Sequence, residues 1–185
     1  MKFQILVLIL ITLSSVFAKE SSTQPQVLKQ QILGGGNYGA ETLESLDVSG
    51  LAKLNGTTVI NDLKITGTLI ALYAHLNDFE IIGEANLTDT KVDKEASIIG
   101  SLQATRSIFL RNLNLLTQKA IFTNCKVQSL SIQQDSAFKG KQTLELRQGT
   151  VVNGSIVFES GKGEILLYPG SRILGSVTGA KVIKK

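Results

Sequence analysis

The chain has no tryptophan, one methionine, one cysteine (Cys125), one histidine (His75) and two prolines among its 185 residues. A single cysteine excludes an internal disulfide framework, and one cysteine with one histidine excludes the usual Cys/His zinc site. Aromatic side chains make up 5% of the residues, which leaves few platforms for stacking sugars or bases. Charge of one sign is scarce too. Lys and Arg number 19 against 15 Asp and Glu, a formal +4, and they are spread thinly rather than gathered on the one face that a phosphate backbone requires. Nucleic acid is therefore not an expected partner. What remains is an aliphatic chain, 43% apolar, with ample material for one core and little for catalysis.

The N-terminus reads as an address. Lys2 precedes an almost unbroken apolar run from Ile5 to Leu13, followed by Ser14-Ser15-Val16-Phe17-Ala18. One basic residue, an apolar stretch of about ten residues and small or apolar side chains before a cut describe a secretory signal peptide over 1–18. The run is short against the roughly 20 residues of a spanning helix, and no other stretch reaches that length. The mature chain is expected to have no transmembrane span and to reside in the periplasm, at the cell surface or outside the cell. Three Asn-x-Ser/Thr sequons, at Asn55, Asn86 and Asn153, double as turn chemistry.

Beyond residue 48 the sequence repeats. An apolar residue stands two before and two after a glycine at Val48-Ser-Gly50-Leu-Ala52, Ile65-Thr-Gly67-Thr-Leu69, Ile81-Ile-Gly83-Glu-Ala85 and Ile98-Ile-Gly100-Ser-Leu102. Val152-Asn-Gly154-Ser-Ile156 and Ile173-Leu-Gly175-Ser-Val177 repeat the unit late in the chain. The early copies are 16 or 17 residues apart, and Gly154 follows Gly100 by three steps of 18. Degenerate copies are thus expected at Leu116, with Gln118 in the glycine slot, and at Gln134. Within each copy apolar residues alternate, the mark of a strand with one buried face. Each period holds two or three such strands with polar corners between them. The pattern predicts an all-β fold, a single-stranded right-handed parallel β-helix with three sides and about eight coils of 16–18 residues over 48–185. Gly50, Gly67, Gly83, Gly100, Gly154 and Gly175 are expected as one structural repeat, small residues turned inward where the walls meet. The extra length of the last step is expected in a bulge at Tyr168-Pro169-Gly170. An antiparallel sandwich also yields many short strands, but it does not hold glycine at fixed phase.

Residues 19–47 read as a polar, glycine-rich tail and lead-in. Gly34-Gly35-Gly36-Asn37-Tyr38-Gly39 lacks the Lys-Ser/Thr and the strand–loop–helix frame of a phosphate loop. Val27-Leu28 and Ile32-Leu33 could cover the N-terminal end of the coil. No cofactor is expected.

The chemistry-bearing residues are few. His75 is a general base only if a nucleophile and an orienting acid meet it; a surface or corner histidine is the simpler reading. Cys125, beside Lys126, reads as a buried or corner thiol. Asp89, Asp93 and Glu95 could bind a cation or serve a sugar-cleaving groove, although Lys91 and Lys94 between them favour a solvated corner. No catalytic or metal-binding residue is assigned. Lys181-Val-Ile-Lys-Lys185 is a basic tip.

The glycine units at 98–102, 152–156 and 173–177 resemble the bactofilin family, bacterial proteins built on a three-sided right-handed β-helix. The resemblance implies end-to-end polymerisation into envelope scaffolds without a nucleotide, although bactofilins typically act in the cytoplasm without an export signal. The function expected is therefore that of an exported, non-enzymatic structural protein whose partner is itself, or a component of the cell envelope or host surface. A carbohydrate-binding or carbohydrate-cleaving β-helix, and a secreted adhesin or effector that binds a host protein, are the alternatives.

Overall fold

The computed structural model describes residues 29–134 and 140–185; the expected signal segment, Val27-Leu28 and much of the copy expected at Gln134 lie outside them. Among the described residues there is no helix. The strands pair in parallel and stack as a β-solenoid of about nine turns. The count exceeds the eight expected because the coil begins before residue 48. The strand Lys29–Tyr38 pairs in register with Ser45–Asn55, so the first coil already occupies part of the glycine-rich lead-in.

Each coil has three runs. In one of them Thr58-Val59 forms the first side, Leu63–Thr66 the second and Thr68–Leu72 the third, with corners at Ile60–Asp62, Gly67 and Tyr73. Pairing continues round two of these corners, which is why the single strand Thr58–Leu72 spans all three sides. Apolar residues at alternate positions point inward, and each meets its counterpart one coil away. One second-side column runs Leu46, Leu63, Phe79, Ala96, Leu113, Leu130, Ile156, and all seven are buried.

On the third side the core alternates in size. One column reads Ala52, Leu69, Ala85, Leu102, Ala120, and the column beside it reads Leu54, Ala71, Leu87, Ala104, Phe122. From Leu69 to Leu102 every large side chain therefore has small ones above, below and beside it, which fills the interior without overlap. Phe122 completes the pattern by meeting Phe109 edge to face at 5.9 Å between ring centroids.

The glycines fall into two columns, which corrects the single phase expected. Gly34, Gly50, Gly67, Gly83 and Gly100 stack at the corner between the second and third sides. Gly154 and Gly175 stack at the other corner, after the first side, in phase with Gln128. Their role differs from the one expected as well. They are half-buried rather than interior. Gly83 is typical of the first column: its φ is 137°, and a Cβ there would overlap the Gly67 carbonyl oxygen. Backbone conformation and the close approach of the neighbouring coil demand glycine here, not a shortage of room inside. Gln118 and Gln142 stand at the next two levels of that corner, so the copy expected at Leu116 exists and the one after it is displaced toward residue 142.

The third corner is built differently. Tyr73, Asp89, Arg106, Asn124 and Gln148 adopt φ near 50° there. A left-handed residue breaks the strand alternation, so the N–H that follows faces the next coil without a carbonyl to meet. A buried column of small polar residues supplies the acceptor. Thr90 N–H donates to Ser107 Oγ (3.2 Å), Ser107 N–H to Cys125 Sγ (3.4 Å) and Cys125 N–H to Thr150 Oγ1 (3.2 Å). Each hydroxyl or thiol then donates to a carbonyl, as Ser107 does to Thr105 (2.9 Å) and Thr150 to Arg147 (2.8 Å). These side chains are at most 2% exposed, where an unpaired polar group costs about 1–3 kcal/mol. Ala74 interrupts the column between Thr57 and Thr90.

The rungs of this column are 17, 18 and 25 residues apart along the chain. Between the second and third sides of the longest coil, ten residues separate Ile132 from Thr143, against three between Leu115 and Lys119 one coil below. In the coil after it, most of the added length is again at that corner, in the turn around Glu159–Lys162, between Phe158 and Ile165. The bulge expected at Tyr168-Pro169-Gly170 contributes one residue only, since that turn matches Arg147-Gln148-Gly149 one coil below.

Two outcomes follow for thermal or denaturant unfolding. Leu87→Ala destabilises by about 2–5 kcal/mol and Ala71→Leu by about 1–3 kcal/mol. The double variant, whose residues face each other across one rung, loses less than the sum of the two. Ala74→Ser restores an acceptor in the hydroxyl column and raises stability by about 1 kcal/mol.

Candidate functional site

The chain's only histidine meets a carboxylate one coil away. His75 opens the strand His75–Thr88, and Asp93 follows the strand Lys91-Val92, the next rung on the first side. His75 Nε2 lies 2.5 Å from Asp93 Oδ2, and Lys91 Nζ is 2.7 Å from Asp93 Oδ1. The hydrogen bond from Lys91, with that of His75, holds the Asp93 carboxyl below its ordinary pKa despite some desolvation. A shallow cavity of about 210 Å³ beside the pair is lined by Thr58, Val59, Ile60, His75, Asn77 and Asp93. His75 and Asp93 side chains are 46% and 32% exposed. The arrangement is an open surface dyad with a lysine, which orients an imidazole but encloses no substrate.

The acids read together in the sequence are separated by the coil. Asp89 sits at the left-handed corner, where Arg106 of the next coil binds it through two hydrogen bonds of 2.8 and 2.7 Å. That bidentate contact lowers the Asp89 pKa. Asp93 belongs to the histidine pair. Glu95 faces a different cavity of about 210 Å³ with Asp62, Lys64, Asp78 and Glu80, and Lys94 reaches Asp78 at 3.7 Å. Among the described residues no group of three or more His, Cys, Asp or Glu is placed to hold a metal ion.

Cys125 is buried, 1% exposed, within the hydroxyl column. Its sulfur accepts from Ser107 N–H and donates to Ala104 O (3.3 Å) and Thr123 O (3.4 Å). Burial pushes its pKa up to about 11, so it is a structural thiol rather than a nucleophile. A second ionic cluster escaped the sequence reading. Glu145 is an outward-facing residue, yet it is buried between Lys119, at 2.7 Å, and Arg147, while Arg147 stacks on Tyr168 at 5.2 Å.

A cavity of about 600 Å³ opens at the C-terminal end. The last coil leaves Ile173 and Val177 half covered, and Leu174 is 64% and Val182 39% exposed. Lys184 and Lys185 of the basic tip border this opening, with Arg172, while Lys181 pairs beside Glu164. At the other end, Gly34 to Tyr38 belong to the first strand, where the buried Tyr38 ring lies over Gly36. No helix of the described residues is long and apolar enough to cross a membrane.

Comparison with protein-family models, with curated proteins and with solved structures finds no match.

Because the thiol's folded pKa lies above its ordinary value near 9, folding favours the neutral form. The resulting stability is complete below about pH 9 and is lost as pH rises through about 11. Urea titrations over that range are expected to show a falling midpoint, and Cys125→Ser makes the fall shallower, with Tyr38, whose pKa is also raised by burial, contributing to the remainder. An aromatic disulfide reagent at pH 8 is expected to leave the folded protein unlabelled and to react once urea unfolds it.

Proposed function

We propose that this protein is an exported, non-enzymatic structural component that associates with further copies of itself through the ends of its solenoid. One observation carries the reading. The C-terminal coil presents unpaired parallel edges at Arg172-Ile173, Val177-Thr178 and Ala180–Lys184 around an apolar opening of about 600 Å³. Such an end is a template for another coil. The sides of the rod give little competing support. The histidine pair and the acidic cavity are shallow and solvent-open, and the buried thiol is unreactive.

The reading is that of a bactofilin-like scaffold in its stacking habit, transferred to an exported chain. A leader over 1–18 would deliver it to the periplasm, the cell surface or the medium, where it would join an envelope or surface assembly. Sedimentation velocity of the purified protein over a hundredfold range of concentration, with negative-stain microscopy of the same samples, tests this. Rods longer than one molecule and a weight-average mass that rises with concentration are expected. A single monomeric species at every concentration overturns the reading.

A further inference from the structure

The two ends of the solenoid carry opposite charge. From Lys29 to Asn55, the first coil and the strand paired with it, the chain has three acids, Glu41, Glu44 and Asp47, and two bases, Lys29 and Lys53, with both acids at the first-side rung, Glu41 and Glu44, lying between the bases in sequence. From Ile165 to Lys185 it has Arg172, Lys181, Lys184 and Lys185 and no acid. Every ion pair among the described residues lies between these segments, from His75 and Asp93 to Lys141 and Glu164. Glu41, Glu44, Asp47, Arg172, Lys184 and Lys185 take part in none of them. In the body of the rod, charges are matched across neighbouring coils. At the ends, matching charges are on opposite tips.

We infer that copies of this chain join head to tail, the acidic N-terminal coil of one seated on the basic C-terminal coil of the next. The inference rests on the self-association proposed above and adds its polarity and its chemistry. The internal register specifies the contacts. The first-side column that contains Thr42, Thr58, His75, Lys91, Ile108, Lys126 and Val151 ends at Arg172. One further step of the same stacking places Arg172 against Thr42 of the next copy, between that copy's Glu41 and Glu44. The third-side column that begins at Tyr38 passes through Leu54, Ala71, Leu87, Ala104, Phe122, Leu146 and Leu167 and ends at Lys184.

Only the two terminal members of that column have polar heads. The same step brings Lys184 to the level before Tyr38 of the next copy, whose side chain is buried, 7% exposed, so Arg172 carries the contact with the acids. An inward lysine would block stacking on another basic end. Like ends therefore repel, and unlike ends attract.

The test uses two charge-reversed forms of the full chain, Glu41→Lys/Glu44→Lys and Arg172→Glu/Lys184→Glu, with circular dichroism to establish that both fold. Sedimentation is run at about 50 mM and about 500 mM salt, because exposed pairs are screened at the higher value. The native chain is expected to associate at least about tenfold more weakly at high salt. Each reversed form alone should associate at least about tenfold more weakly than the native chain at low salt, since the charges that meet across its joint no longer attract. An equimolar mixture of the two should recover association, as only unlike ends pairing head to tail allow. Native chains that associate while salt and both reversals leave the affinity unchanged would overturn the head-to-tail contact and leave self-association standing. Native chains that never associate would overturn both.

Discussion

Everything in this molecule depends on parallel coils lying directly on one another in register. In a solenoid each residue has two neighbours of equivalent position, one above and one below. A side chain is therefore selected against its counterparts rather than against a distant element. The alternating Ala/Leu columns of the third side show the result. Neither Ala71 nor Leu87 is explained by its own coil; each is the size the other requires. The same constraint turns polar groups into columns, as the run of Thr90, Ser107, Cys125 and Thr150 shows.

Glycine and the left-handed corner residues are two solutions to one geometric problem, turning a sheet without losing its ladder. At Gly83 the chain bends in a backbone region closed to L-residues, and pairing continues through the corner. At Asp89 and Arg106 the bend uses a conformation that other residues tolerate, at the cost of one unmatched N–H, which the hydroxyl column then satisfies. The free choice of residue at the second kind of corner is what allows Asp89 and Arg106 to pair across coils.

Much of the fold was legible in the sequence because its central signal has a steric cause. Only glycine fits at 50, 67, 83 and 100, so the period survives there undiluted. Gly154 and Gly175 misled because the interval from Gly100 is a multiple of the period by coincidence. The ten residues between Ile132 and Thr143 move the register, and these glycines belong to a different edge of the prism. The hydroxyl column was hidden by its own tolerance. Thr, Ser, Cys and Ala all occupy it, and each reads singly as an ordinary corner residue. The histidine pair could have been found, since His75 and Asp93 are one coil length apart and a solenoid brings such residues side by side. Asp89, Asp93 and Glu95 erred in the opposite sense, because nearness in sequence at a corner sends side chains to different sides.

Added length in this chain is confined to one edge. The ten residues between Ile132 and Thr143 and the turn around Glu159–Lys162 both lengthen the connection from the second side to the third, while Leu130, Ile156 and Val177 remain aligned through both. A prism with one expandable edge can acquire protruding segments there while its core geometry stays unchanged. That edge is where descendants of such a chain are free to diverge in shape, and where a foreign peptide could be displayed at fixed spacing along the rod.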